Sequence, residues 1–252
     1  MTRSAPLNLG RPERAFLDAN VIRGQLTNDL LLSMAARDVF DPRWTQQVLD
    51  EMRRNRPPGV PESKIDGRID AMNGYFPRAM TDVPAGLEPE MHADAKDQHV
   101  LAGAVHSRSD VLVTENVKDF APPSTGPHAM RVERLSEFLS RKLEENPDRV
   151  LAAIEDLVGR NRRDPRTILA LIGKLVEQPQ IRGFAQRLDA RVRAGQQRAA
   201  ASRPADQLHR SKQQALDGMP DALGAVASEH DHAVLRRSAE AAKPGQEQGR
   251  GR

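Results

Sequence analysis

Several polar residues of this sequence stand where predicted strands end. Asp18 follows a short apolar segment at residues 15–17, and Thr114 and Asn116 stand at and beyond the end of another at residues 110–114. Both segments are predicted β-strands because they are short, apolar and bounded by polar residues. In a parallel α/β sheet, ligands bind outside the carboxyl ends of the strands. We therefore expect these three side chains at one end of a sheet.

Further carboxylates come from predicted helices between these two strands. Glu51 lies on a helix predicted for residues 44–55, and Asp94 and Asp97 stand at the start of one predicted for residues 95–107. If the helices converge, three or four oxygen ligands meet, and an oxygen-rich site without cysteine suits Mg²⁺ or Mn²⁺. Spacing alone leaves a second interpretation open, because isolated acids at helix starts are common caps.

Predicted strands and helices alternate along residues 1–140. This alternation predicts an α/β fold, in which a parallel sheet is sandwiched by helices. The predicted strands are residues 15–17, 38–41, 110–114 and 130–132, and the predicted helices are residues 21–36, 44–55, 61–75, 95–107 and 135–145.

The remaining chain divides into two predicted parts. Residues 141–195 show three helical patterns, which predict a small bundle or an extension that docks on the first domain. Residues 196–252 contain no Phe, Trp or Tyr and few large aliphatic residues. Such a segment buries too little surface to offset its ordering entropy, so we predict a disordered tail.

Composition excludes some classes of protein. With no cysteine, there is no disulfide framework and no thiolate metal site. The N-terminus lacks the apolar run of a signal peptide, and no segment is apolar enough to span a membrane, so we expect a cytoplasmic protein. The net charge of +3 is too small to indicate nucleic-acid binding. This charge is unevenly distributed, because residues 1–140 carry a net charge of −3 and residues 141–252 one of +6.

Four segments, taken in order, resemble PIN-domain nucleases and especially the VapC-type toxins of prokaryotic toxin-antitoxin modules. The resemblance spans residues 14 to about 140, and the helices of residues 145–195 are similar to the C-terminal extension of one branch of that family. The segments are FLDANV at residues 16–21, WTQQVLDE at 44–51, DAKDQHVLA at 94–102 and LVTENVKDF at 112–120.

The resemblance implies a metal-dependent endoribonuclease that hydrolyses RNA phosphodiester bonds with a metal-activated water. Asp18, Glu51 and Asp97 match the first three acidic ligands of the family, and Thr114 matches the hydroxyl residue beside them. The metal would be Mg²⁺ or Mn²⁺. The implied partners are an RNA substrate, a cognate antitoxin protein that covers the acidic site, and a second copy in a homodimer.

The fourth ligand departs from the family pattern. Many relatives carry an aspartate two residues after the hydroxyl, where this chain has Asn116, while Asp119 lies three residues further on. An asparagine offers an amide oxygen but no charge. Asn116 and Asp119 are both candidates, and metal affinity and metal number stay open.

Other interpretations remain at this point. A noncatalytic PIN-like RNA-binding or protein-interaction module is the main alternative, and Asn116 is the residue that favours it. An aspartyl-phosphate enzyme would have a second aspartate two residues after Asp18, where this chain has Asn20. The basic residues of the C-terminal helices fit either an RNA-phosphate face or the solvated sides of amphipathic helices. His99 is interpreted as a packed or exposed histidine rather than a ligand.

Overall fold

The computed structural model describes residues 11–217, and the side chains of residues 11–201. The chain divides into two compact units, Met1–Arg193 and Ala194–Arg252. The first unit contains the sheet, the helices around it and the candidate site.

Four parallel strands form the sheet, in the order β2-β1-β3-β4. β1 and β3 occupy the centre, and the side chains of Ala15, Phe16 and Leu17 are fully buried, as are those of all three residues of β3. Such continuous apolar strands are typical of a parallel sheet that is covered on both faces. The strands are β1 (Arg14–Leu17), β2 (Asp41–Arg43), β3 (Val111–Val113) and β4 (Arg131–Glu133).

Helices flank this sheet, which confirms the predicted α/β fold. They are α1 (Ala19–Ile22), α2 (Gln25–Ala36), α3 (Gln46–Arg54), α4 (Glu62–Tyr75), α5 (Gln98–His106), α6 (Leu135–Glu145), α7 (Pro147–Arg160), α8 (Ile168–Val176) and α9 (Arg182–Asp217). No helix in the described part of the chain is long and apolar enough to cross a membrane.

Helices α6 to α8 and the start of α9 share one hydrophobic core with the sheet. α7 packs against α2, and Phe138 of α6 meets Phe40 edge-on, with ring centroids 5.1 Å apart. An edge-to-face pair of this kind is favourable beyond the apolar area that it buries. The boundary predicted near residue 140 falls inside α6.

Two predicted elements differ in the structure. The helix expected over residues 21–36 is broken, because Gly24 adopts an extended backbone and becomes the N-cap of α2. The strand expected at residues 38–41 begins later, at Asp41, because Asp38 has a left-handed φ of 55° and turns the chain out of α2. Pro42 is accommodated because β2 is an edge strand.

The predicted disordered tail also differs in part. Helix α9 continues to Asp217, so the backbone of residues 196–217 is helical. Helical hydrogen bonds are local, and this segment is rich in the strong helix formers Ala, Gln and Arg, so it needs no large core to form them. Residues 218–252 lie outside the described residues.

Gly103 of α5 lies in close contact with the sheet. A Cβ at this position would stand 2.5 Å from Phe16 Cζ and 2.8 Å from Thr45 Cγ2. Thr45 is the N-cap of α3, so the same glycine lets α5 approach both β1 and α3.

We expect Gly103→Ala to lower the free energy of unfolding by about 1–3 kcal/mol, because overpacking a full core displaces its neighbours. Gly67→Ala, at an exposed position of α4 with no atom within 4 Å of the new Cβ, is the control. It should stabilise the protein by about 0.5–1 kcal/mol. Urea unfolding measures both, and equal effects of the two substitutions would contradict this account of α5 packing.

Candidate active site

The two central strands bring Asp18 and Thr114 together. Leu17 of β1 pairs with Val113 of β3, so the next residue of each strand stands at the same carboxyl end of the sheet. The backbone N–H of Asp18 donates to Val113 O over 3.1 Å, and Thr114 Oγ1 donates to Asp18 Oδ2 over 2.6 Å. Both side chains are buried, with Asp18 only 4% exposed. A buried carboxylate is therefore held by a hydroxyl from the neighbouring strand.

Asn20 completes this network. Its Nδ2 donates to Asp18 Oδ2 over 2.7 Å and to Thr114 Oγ1 over 3.1 Å, while its Oδ1 accepts from the Glu115 backbone N–H over 3.2 Å. The Asn116 backbone N–H donates to Thr114 Oγ1 over 3.1 Å. In the sequence, Asn20 stands out only as the position where an aspartyl-phosphate enzyme would have a second aspartate, and the pattern does not predict its role in this network. The available signal was a short polar side chain two residues after a strand-end carboxylate.

Asp18 opens into a polar cleft of about 500 Å³. Glu51 comes to this cleft from α3, Asp97 from the N-cap position of α5, and Glu115 and Asn116 from the loop after β3. Gln180, from the turn between α8 and α9, also lines it. The helical C-terminal part of the first unit thus contributes directly to the wall of the cleft.

Burial and neighbouring carboxylates disfavour the ionisation of Asp18 and Asp97. The pKa of Asp18 is raised to about 6, first by burial and then by the charges of Glu51 and Asp97, against the opposing hydrogen bonds from Thr114 and the Ala19 backbone. The pKa of Asp97 is also raised, first by burial and then by neighbouring acids, although Lys96 counteracts this. Negative charge therefore accumulates around the cleft without a full set of cationic partners.

Asp97 also belongs to a second, tighter group of acids. One carboxylate oxygen from each of Asp94, Asp97 and Asp119 lies within 4.8 Å of the others, and in the described part of the chain no other three acidic or histidine residues meet this condition. Asp97 Oδ2 is buried and has no hydrogen-bond partner among the described residues. Asp119 thus approaches Asp97, but it is not among the residues that line the cleft.

These observations fit a divalent cation. The donors are carboxylate oxygens, which suit Mg²⁺ or Mn²⁺. Lys96 Nζ lies 3.8 Å from the buried Asp97 Oδ2 and forms no hydrogen bond with it, so a cation would supply the close contact that this oxygen lacks. It would also offset the burial and the neighbouring negative charges that raise the pKa of Asp18.

The structure thus places four of the six predicted site residues along one cleft, namely Asp18, Glu51, Asp97 and Asn116. Thr114 lies fully buried behind Asp18, and Asp119 joins through Asp97. Glu115 was missed by sequence analysis. It lines the cleft, and its Oε1 accepts from the Leu135 backbone N–H over 3.3 Å, which connects the cleft to the start of α6.

Part of the chain is similar to a protein of Mycobacterium tuberculosis (strain ATCC 25618 / H37Rv) that bears the name "Putative ribonuclease VapC50". The two are 34% identical over 99 residues, which make up 39% of this chain and 59% of that protein. The chain thus has a partial relative that is named as a VapC ribonuclease, and it spans about three fifths of that relative's length. No protein-family model matches the chain, and no solved structure matches it.

We expect Asp18→Asn to stabilise the metal-free protein above pH 6 by about 3 kcal/mol and to have little effect near pH 4. The pKa of Asp18 is about 6 in the folded state and 3.8 in the unfolded state. Ionisation therefore costs the wild type stability as pH rises through this window, whereas asparagine does not titrate. Urea unfolding in EDTA at several pH values measures this, and a difference that does not change with pH would contradict the assignment.

Proposed function

We propose that this protein is a metal-dependent endoribonuclease and the toxin of a toxin-antitoxin module, acting in the cytoplasm. The observation that carries the proposal is the burial of Asp18 beside Thr114 in a cleft that Glu51 and Asp97 also line. The partial similarity to a protein named as a VapC ribonuclease supports the same function. An antitoxin that covers the cleft and a homodimer are the proposed protein partners.

Mg²⁺ or Mn²⁺ would be held by Asp18, Glu51 and Asp97, with Asp119 beside Asp97. When bound, such an ion stabilises charge on the phosphoryl oxygens and lowers the pKa of a coordinated water. The protein contributes position and charge. No protein nucleophile is required, which agrees with the absence of cysteine.

Each side chain has a distinct part in this proposal. Thr114 and Asn20 both bond to Oδ2 and hold Asp18 in one orientation, so its other carboxylate oxygen, Oδ1, points to a fixed place. Glu51 is the acid that either binds the ion or orients the attacking water by accepting its hydrogen bond. Asn116 provides an uncharged amide beside these acids.

Arg23 is suited to contact the RNA backbone. Among the described residues that line the cleft it is the one lysine or arginine, and it is exposed. It forms no ion pair with a described acidic residue. A phosphodiester that approaches several carboxylates needs such a cation, because like charges repel.

We expect Asp18→Asn and Asp97→Asn each to reduce RNA cleavage by at least about 100-fold, since several kcal/mol of transition-state stabilisation would be lost. The measurement incubates purified protein with total RNA and Mg²⁺ or Mn²⁺, with EDTA as a further arm. Sequencing of the fragment ends then identifies the cleaved bonds.

Asp70→Asn is the matched control, because Asp70 is exposed on α4, away from the cleft, and the substitution removes the same charge. It should cleave like the wild type. Folded, antitoxin-free protein that cleaves no RNA with either metal would overturn the proposal and favour a noncatalytic RNA-binding or protein-interaction module.

Arg23→Gln should weaken binding of single-stranded RNA and reduce the slope of log K against log salt concentration by about 0.7, the value for one lost phosphate contact. Fluorescence anisotropy in EDTA measures binding without cleavage. Arg78→Gln, an exposed arginine outside the cleft, is the control and should leave the slope unchanged. Equal slopes for all three proteins would exclude the Arg23 contact.

A further inference from the structure

His99 carries a buried nitrogen without a partner. It is the second residue of α5, and its side chain is 15% exposed. In the described part of the chain, no group lies within hydrogen-bond distance of its Nε2 atom, and that atom is buried. Buried polar atoms are nearly always hydrogen-bonded, so an exception of this kind needs an explanation.

Glu51 lies next to this nitrogen. The distance from His99 Nε2 to Glu51 Oε2 is 3.6 Å, just beyond a hydrogen bond, and the other carboxylate oxygen, Oε1, accepts from Asn55 Nδ2 over 3.4 Å. Hydrogen bonds in active sites are often long in the free enzyme and tighten in the complex. A small rotation of either side chain closes the gap.

We propose that His99 is a positioning residue, which donates a hydrogen bond from Nε2–H to Glu51 Oε2 and fixes Glu51 in the orientation that the cleft requires. The inference rests on the proposed function, since it gives Glu51 its role. It requires the tautomer with the proton on Nε2, because otherwise a nitrogen lone pair would face a carboxylate oxygen.

Glu51 needs such support more than Asp18 does. Asp18 has a short side chain held by Thr114 and Asn20. Glu51 has one more rotatable bond, and among the described residues its carboxylate accepts only the long hydrogen bond from Asn55. Side chains behind a metal ligand commonly fix its orientation, and their loss typically reduces metal affinity or activity.

The same helix also supplies Asp97. This acid occupies the N-cap position of α5, two residues before His99. One end of one helix thus presents a carboxylate of its own and the donor that orients a carboxylate of α3. Any shift of α5 would therefore change both acids together.

Isothermal titration with Mn²⁺ tests the proposal in a double-mutant cycle. His99→Leu should weaken Mn²⁺ binding by about 10-fold in the wild type. It should have no further effect in the Glu51→Ala background, because its influence passes through Glu51. His99→Gln, which can still donate a hydrogen bond, should retain most of the wild-type affinity.

An equal loss in both backgrounds would overturn the proposal and indicate that His99 acts directly on the metal or on the fold. No loss in the wild-type background would overturn it as well. The titration measures Mn²⁺ binding and does not involve RNA, so its result is independent of RNA cleavage. Coupling in a protein that cleaves no RNA would support the role of His99 and contradict only the proposed nuclease function.

Nitrogen NMR provides a second test, in case His99→Leu does not fold. Long-range ¹H–¹⁵N spectra of the wild-type protein should show His99 with its proton on Nε2, assigned by the absence of its signals in His99→Gln. The Nε2 resonance should shift in Glu51→Ala. A ring that carries its proton on Nδ1 alone, or an Nε2 resonance that Glu51→Ala leaves unchanged, would contradict the hydrogen bond.

Discussion

The hydrogen bond from Thr114 to Asp18 joins the two central strands at the point where both end. It permits a carboxylate to be buried, because the hydroxyl and the amide of Asn20 replace part of its lost hydration. The compensation is incomplete, and burial still raises the pKa of Asp18. The protein thus keeps an electrostatically unfavourable group at the carboxyl end of a central strand. A function that needs a negative charge there accounts for this arrangement.

The other acids depend on how closely the helices approach that point. α5 approaches β1 and the start of α3 through Gly103, so Asp97 and Glu51 reach the same cleft from different helices. The side chain of His99, from α5, brings its buried Nε2 atom near Glu51 of α3. Packing and charge are therefore coupled, because the contact that fills the core also sets the separation of the carboxylates.

Sequence analysis predicts the parts of this arrangement that depend on local pattern. The apolar runs before Asp18 and Thr114 identify the central strands, and parallel pairing brings their ends together. The convergence of Glu51 and Asp97 is not visible in periodicity, since it depends on helix packing, and the family resemblance was needed to propose it. Asn20 and Glu115 were missed because their contacts cross from one strand end to another. The interruption of the predicted helix at Gly24 depends on the backbone conformation of that one residue. The sequence pattern is helical on both sides of Gly24, so it does not reveal the interruption.

The central claim is that Asp18, Glu51 and Asp97 hold a divalent cation in the cleft. A crystal structure of the protein with Mn²⁺, with anomalous differences measured near the manganese edge, tests it most directly. The account predicts an anomalous peak within about 2.0–2.3 Å of oxygens of Asp18 and Asp97, the distance range for such ions, with Glu51 bound directly or through water. A peak only among Asp94, Asp97 and Asp119, or no peak at saturating Mn²⁺, would contradict it.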